Sequence, residues 1–378
     1  MHIGLNLLYL VPGATGGTEI YARELIPALV AAAPTARLTA FVNREAASSG
    51  DPAPWGTLIP AVTIPIKAER RHEWVVGEQL LLPRAAEAHG VDLLHSLANT
   101  APATGRFRRV VTIQDLHFKV VPEAHLGMRR WAMRTLVPLA ARRSHRIIVP
   151  SESTGRDVAS LRKVATASID VVPLGIGASR MVNPAPEAEI RKWLDAGSRQ
   201  IVLSVSAKRP HKNLGRLIAA IAMIEPSRRP LLVIPGYPTP YELTLRRLAA
   251  EHEVADDVRL LSWVDDAQLE GLYAAATCLV CASLHEGFGL PVLEAMARGV
   301  PVACSGRGAL AEVAGSAAEL FDPESERQIA AAINDLLCDP AKRTKLRVAG
   351  LERAAAFTWA ATAAGTLATY ERALSSAP

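Results

Sequence analysis

Residues 276–299 read ATCLVCASLHEGFGLPVLEAMARG. The first eight, ATCLVCAS, form an apolar run of strand length; PVLEAMARG reads as a helix with Pro291 in its first turn and Gly299 closing it. Between them HEGFGL is a loop at the carboxyl end of a strand that opens a helix N-terminus. Open parallel sheets bind ligands at that edge, and the free N–H groups of a helix start favour an anion. Gly287 and Gly289 let the backbone approach closely. Glu286 precedes them and faces whatever the loop holds. Glu294 falls about one turn into the helix, where a carboxylate can accept two vicinal hydroxyls, as on a ribose. A plain capped helix with surface glutamates accounts for Glu294 but not for Glu286 or the two glycines.

The same strand–loop–helix unit recurs along the chain. IGLNLLYLV, RLTAFV, VDLLHS, RVVTIQD, RIIVPS and IDVVPL read as strands, with helical stretches at 18–33, 73–89, 125–145 and 152–163. GIGASRMVNPAP breaks the pattern as a Gly- and Pro-rich linker, and EAEIRKWLDAG then reads as a short helix capped by Gly197. Alternation resumes in QIVLSVS, RPLLVIPG, DVRLLSW, ATCLVCAS, VPVACS and AELFD. Alternating β and α elements imply parallel sheets with helices on both faces. The fold class is therefore α/β, with two Rossmann-like domains, 1–178 and 179–378, joined near residue 180. No solenoid period is present.

A chain of 378 residues, 49% hydrophobic and 21% charged, suits two globular domains. No uncharged apolar run approaches the ~18 residues of a membrane span. The start, MHIGLNLLYLVPG, lacks a basic n-region and reads as a first strand. Cys278 and Cys281 make a CxxC, but i and i+3 on a strand point to opposite faces, so buried thiols are expected and a reduced, cytoplasmic protein follows. The net charge of +5 is uneven: residues 1–175 hold 20 basic against 14 acidic residues, the remainder 22 against 23. The excess gathers at Arg106, Arg108, Arg109, Arg129, Arg130, Arg134, Arg142, Arg143 and Arg146, with Met128 and Trp131 alongside. A solvated helical face is the plain reading of this stripe; attraction to anionic lipid or an acidic acceptor is the functional one. No binding module or aromatic interleaving points to nucleic acid.

Three further stretches lie at strand ends. RPHKN follows QIVLSVS and precedes a helix, placing Lys212 where a cation can meet a phosphate. GATGGTE (13–19) joins the first strand to the first helix. It is not G-x-G-x-x-G, and no acidic residue ends the second strand, so a dinucleotide fingerprint is weak. VVTIQDLHFKVVPE sets Gln114, Asp115 and His117 just after a strand.

SLHEGFGLPVLEAMARGVPVACS resembles the donor-site motif of retaining glycosyltransferases of family 4, which have the GT-B fold and include bacterial mannosyl- and glucosyltransferases of surface polysaccharides. The resemblance extends to GGTEIYARELIPAL, PSESTGRDV, VVPLGI, RPHKNLGRLI, VRLLSWVDDAQLEGLYAAA, ALAEVAGSAAELFDP and FTWAATAAGTLATYERAL. It implies two Rossmann-like domains facing a cleft, the first for the acceptor and the second for the donor, with the final helix, about 360–374, packing back on the first. It implies that Glu294 binds the nucleotide ribose and Glu286 the transferred sugar. Backbone groups of Gly287, Phe288, Gly289 and Leu290 would hold sugar and phosphate, and Lys212 would neutralise the diphosphate. Gly16 and Gly17 would reach toward that diphosphate, and backbone near Trp263 and Val264 would meet the base.

The chain departs from the family at two places. Ser206 and Ala207 stand where many relatives have Gly-Arg, and Lys208 or Arg209 is the expected substitute. Gln114 replaces a usual histidine and cannot be protonated, which leaves polar positioning. His117 reads as a structural histidine or a replacement for it, and Asp115 as a residue that orients the acceptor hydroxyl. Asp265 and Asp266 belong to a helix start, so cationic side chains and a helix dipole, not a metal, are expected to neutralise the leaving group. No cofactor is expected beyond the co-substrate, a GDP-, UDP- or dTDP-hexose. The expected acceptor is a saccharide, a lipid-linked saccharide or a small molecule. The resemblance also implies closure of the domains about the linker near residue 180. The rival readings are a GT-B epimerase or phosphorylase and a silent sugar-nucleotide-binding protein.

Overall fold

The strand β1 (His2–Leu7) is buried at every position, as expected of a central strand covered on both faces. It lies in the middle of a parallel sheet with β2 (Arg37–Val42), β3 (Ala61–Thr63), β4 (Leu93–Ser96), β5 (Arg108–Thr112), β6 (Arg146–Val149) and β7 (Ile169–Val171). The order is β3-β2-β1-β4-β5-β6-β7. A second parallel sheet contains β8 (Ile201–Leu203), β9 (Leu231–Ile234), β10 (Val258–Leu260), β11 (Cys278–Cys281), β12 (Val302–Ser305) and β13 (Glu319–Phe321), ordered β10-β9-β8-β11-β12-β13. This is a computed structural model, and it describes residues 1–49, 53–117, 128–177 and 182–375, with the backbone alone for 128–132. Residues 178–181 of the linker lie outside the described residues.

Each sheet belongs to its own compact unit. One unit comprises the chain up to Gly175 together with the C-terminal helix Trp359–Ser375; the other runs from Ile176 to Phe357. Within the first unit the C-terminal helix is held by polar contacts as well as by its apolar face. The hydroxyl of Tyr370 is 2.7 Å from His95 Nδ1, and His95 Nε2 is 2.7 Å from Thr112 Oγ1. His95 is fully buried at its strand, and burial pulls its imidazole down to about 3.

The strand β3 and the short helices Arg44–Ser48 and Pro54–Thr57 were not read from the sequence, and two further local features differ from that reading. The helix Glu187–Leu194 ends on Asp195, which takes the left-handed conformation (φ 52°), two residues before the expected cap Gly197. A short polar side chain tolerates that conformation, so glycine is not required at the cap. The stretch read as one helix from 73 to 89 is Arg71–Val76, a π turn at Gly77–Leu81, and Leu82–Ala88. Glu78, on the π turn, is 1% exposed. It accepts hydrogen bonds from Asn6 Nδ2 (3.0 Å), Thr100 Oγ1 (2.9 Å) and Gln79 Nε2 (3.3 Å). Burial pushes its carboxyl up to about 7.

Cys278 and Cys281 lie on β11 as free thiols, the first buried and the second half-buried. Burial pushes them up to about 12 and about 11, so both are protonated and unreactive at neutral pH.

Candidate active site

In the second sheet the chain leaves β8 toward β9 on one side and β11 toward β12 on the other. The loops after β8 and β11 therefore part at the switch point, where open α/β sheets leave a crevice for a ligand. Two ties hold them together. The backbone N–H of Leu284 donates to His211 O at 3.0 Å. Asn213, left-handed at φ 58°, donates from Nδ2 to Ala282 O (3.0 Å) and to Pro323 O (2.7 Å). Asn213 thereby joins the ends of β8, β11 and β13. Sequence reading passed over it as part of RPHKN; its signal is an Asn where a short turn, Pro210–Lys212, meets a helix start.

Lys212 and Glu286 come together here. Lys212 Nζ lies 2.6 Å from Glu286 Oε1, with the two side chains 18% and 12% exposed. Ser283 Oγ donates to the same carboxylate oxygen at 2.7 Å. Ser283, three residues before Glu286, was not singled out in the sequence.

The helix after this loop is Leu290–Ala297, with Pro291 in its first turn and Gly289 as its N-cap at φ 120°. The conformation demands glycine, and a Cβ there would also meet the Leu310 Cδ2 methyl at 2.8 Å, which would have to shift. Phe288 is buried and packs edge-on against Phe357 (5.9 Å between centroids), anchoring the loop while its backbone stays at the edge. Gly299 (φ 67°) closes the helix, with Val300 N–H donating to Ala295 O at 2.9 Å. Glu294 is half-buried, and its Oε2 accepts from the Tyr273 hydroxyl at 3.1 Å.

Lys208 is placed otherwise than the sequence suggested. It is fully buried, and its ammonium donates to Gly236 O at 2.6 Å and to Leu261 O. The side chain thus clips together the loops after β9 and β10 instead of reaching a phosphate. Burial pulls it down to about 8. Arg209 is exposed. Trp263, in the loop after β10, is 65% exposed, with its ring 4.9 Å from that of Tyr237; Val264 is half-buried beside it. Asp265 caps the helix Asp266–Ala275 in a reciprocal box with Gln268.

In the first unit Gly16 caps the helix Gly17–Ala32 at φ 63°, and no atom lies within 4 Å of where a Cβ would stand on Gly16 or Gly17. Glu19 folds back beneath this bare backbone: its carboxylate accepts from Gly13 N–H at 2.9 Å and pairs with Arg23 at 2.9 Å. After β5, the backbone N–H of Gln114 donates to Asn99 Oδ1 at 2.7 Å. Gln114 Nε2 is shielded from solvent with no hydrogen-bond partner among the described residues. Asp115 Oδ1 lies 3.0 Å from His117 Nδ1, so those two expected residues do meet.

Comparison with known proteins bears on this arrangement. A family model described as Glycosyltransferase Family 4 matches residues 15–180, and one described as Glycosyl transferases group 1 matches residues 186–353. The chain belongs to this glycosyltransferase family. Lys212, Glu286 and Glu294 all lie within the second match. An MMP α-(1→4)-mannosyltransferase of Mycolicibacterium hassiacum is 31% identical over 65% of this chain and 59% of its own length. The O-antigen chain mannosyltransferase B of Escherichia coli is 29% identical over 67% of each. The chain thus spans about three fifths to two thirds of these relatives. The GT-B fold is shared with a sucrose-phosphate synthase from Thermosynechococcus elongatus (TM-score 0.77, 24% identity, 98% of each chain). It is also shared with the Anabaena protein HepE, solved with UDP-glucose (TM-score 0.74, 20% identity, 98% of this chain and 100% of that one).

Proposed function

We propose that this protein is a retaining glycosyltransferase that moves a hexose from a nucleoside diphosphate sugar to a hydroxyl of a saccharide, lipid-linked or small-molecule acceptor. The observation that carries the reading is the Lys212–Glu286 pair at the switch point, 2.6 Å apart, beside a glycine-bounded helix start. The diphosphate sits against the N–H groups before Leu290 and the Lys212 ammonium, which neutralise it without a metal. Glu294 takes the ribose, backbone near Trp263 and Val264 the base, and Glu286 with the backbone of Gly287–Leu290 the sugar. Within the first unit, Gln114 and Asp115 position the acceptor. In this scheme the acceptor oxygen forms a bond to C1 on the face from which the phosphate leaves. The C1–O bond to phosphate breaks through an oxocarbenium-like state, and the acceptor proton passes to the departing phosphate oxygen. Catalysis is then positioning and electrostatics, with contacts typically worth ~3–4 kcal/mol each.

The mannosyltransferase names of the relatives and the UDP-glucose bound to the Anabaena protein make GDP- and UDP-hexoses the first donors to test, with dTDP-hexoses next. Thermal-shift screening against these sugars, followed by transfer assays with the anomeric configuration read by NMR, tests the reading. Nucleotide binding without transfer or donor hydrolysis would make the protein a silent binder, and epimerised or phosphorolysed product would move it to those GT-B classes.

Contact with an anionic membrane is proposed separately. Arg106, Arg134, Arg142 and Arg143 are exposed, whereas Arg146 is committed to Asp170 at 2.5 Å and Arg109 donates to Arg143 O and Gly105 O. The side chains of Met128, Arg129, Arg130 and Trp131 lie outside the described residues. No helix among the described residues is long and apolar enough to cross a membrane. Salt-sensitive sedimentation with anionic vesicles supports the contact, and no binding at low salt dismisses it.

A further inference from the structure

Glu294 does not stand alone on its helix. Its Oε2 accepts from the hydroxyl of Tyr273, 3.1 Å away, on the helix Asp266–Ala275. Tyr273 is 1% exposed, and its ring is covered by the Arg298 guanidinium at 4.7 Å. Arg298 is fixed in turn: it pairs with Glu270 through Nε (3.0 and 2.8 Å) and Nη2, and donates from Nη1 to the backbone oxygen of Glu294 at 2.9 Å. Tyr273 and Glu270 lie on one helix, Glu294 on another, and Arg298 just past that second helix. The four residues form a closed frame whose most exposed acidic member is Glu294.

A phenol has one proton to give, and this one is given to Glu294. Burial, reinforced by the nearby Glu294 charge, holds the Tyr273 hydroxyl well above the usual phenol range, so it stays a donor. One of the four acceptor positions of the carboxylate is thereby filled and its Oε2 is tied to the phenol, which leaves three positions for a ligand. A site that fixes polar groups for a substrate hydroxyl rejects the analogue lacking it, because those groups are then left unmet.

We propose that Tyr273 is a positioning residue which sets the Glu294 carboxylate for a ribose cis-diol, so that the protein selects ribonucleoside over 2′-deoxyribonucleoside diphosphates. This rests on the reading that Glu294 takes the ribose, and it deepens that reading by placing UDP- and GDP-sugars ahead of dTDP-sugars. Tyr273→Phe removes only the hydroxyl and leaves the ring under Arg298.

Calorimetric Kd values for UDP, dUDP, GDP, dGDP and pyrophosphate, measured on the full chain, Tyr273→Phe and Glu294→Gln, test the proposal. The expected result is a tenfold or greater preference of the wild type for the ribonucleotide of at least one pair. That preference should fall to within twofold in Tyr273→Phe, with pyrophosphate binding unchanged. With a transferred donor in hand, KM should rise in Tyr273→Phe while kcat stays within twofold. An unchanged preference in Tyr273→Phe overturns the proposal, and so does equal weakening for all five probes, which would make the hydroxyl merely structural. Unchanged ribonucleotide binding in Glu294→Gln instead overturns the ribose assignment beneath it.

Discussion

Lys212 Nζ lies 2.6 Å from Glu286 Oε1, and each residue stands at the end of a different strand loop, β8 for the lysine and β11 for the glutamate. Neither charge would be stable alone in so enclosed a place; together they offset each other's desolvation. Under the proposed reading, a diphosphate at the helix start competes with Glu286 for the lysine, so one contact links donor binding to the freedom of the glutamate.

Lys212→Ala is expected to raise the Kd of a nucleoside diphosphate by about tenfold to a hundredfold, the loss of one charge-assisted contact. Glu286→Gln should keep most of that affinity and lower kcat by about two orders of magnitude. Calorimetry and single-turnover assays separate the two effects. Near-normal turnover in both variants removes the pair from catalysis.

Lys208→Met should behave in the opposite way. Gly236 O and Leu261 O lose their donor, which costs about 1–3 kcal/mol for an unmet buried acceptor, while diphosphate affinity stays within about twofold. Urea denaturation beside calorimetry checks this. A large loss of phosphate affinity with stability intact would restore Lys208 to the phosphate site.

Asn213 separates backbone conformation from side-chain bonding. Asn213→Ala forfeits the two hydrogen bonds from Nδ2 and the one that Oδ1 accepts from Arg216, and also suffers at φ 58°, where alanine pays about 1–2 kcal/mol. Asn213→Gly forfeits only the bonds. Stability should therefore rank wild type, Gly, then Ala. Equal stability for all three would mean that the tie to Ala282 and Pro323 contributes nothing.

His95 ties stability to pH. Its folded value is pulled from 6.5 down to about 3, so the imidazole is neutral in the fold while the unfolded chain takes up a proton. The stability it contributes is complete above pH 6.5 and is lost as pH falls toward about 3. The slope is about 1.4 kcal/mol per pH unit between those limits. Denaturation curves between pH 7 and about 4 should show this limb flattened in His95→Gln. An identical pH dependence in that variant assigns the limb to other groups.

Much of the fold was legible because parallel sheets covered on both faces leave apolar runs such as RLTAFV and RPLLVIPG, separated by helical periods. The HEGFGL loop was legible for a related reason: glycines before a helix start, at a strand end, have few uses. The π turn at Gly77–Leu81 was not, since one extra residue in a helix leaves the surrounding apolar pattern almost intact. Lys208 misled because a lysine in a polar stretch reads the same whether its ammonium meets phosphate or carbonyl.

By itself the sequence determined most of the strands and the helices between them, because periodicity and turn residues act over a few neighbours. Tertiary structure alone decided which of their side chains meet. Lys212 reaches Glu286 across 74 positions of chain, and Tyr273 reaches Glu294 across 21. Both contacts follow from how the sheet is ordered and how its helices pack, relations between distant segments that no local pattern records.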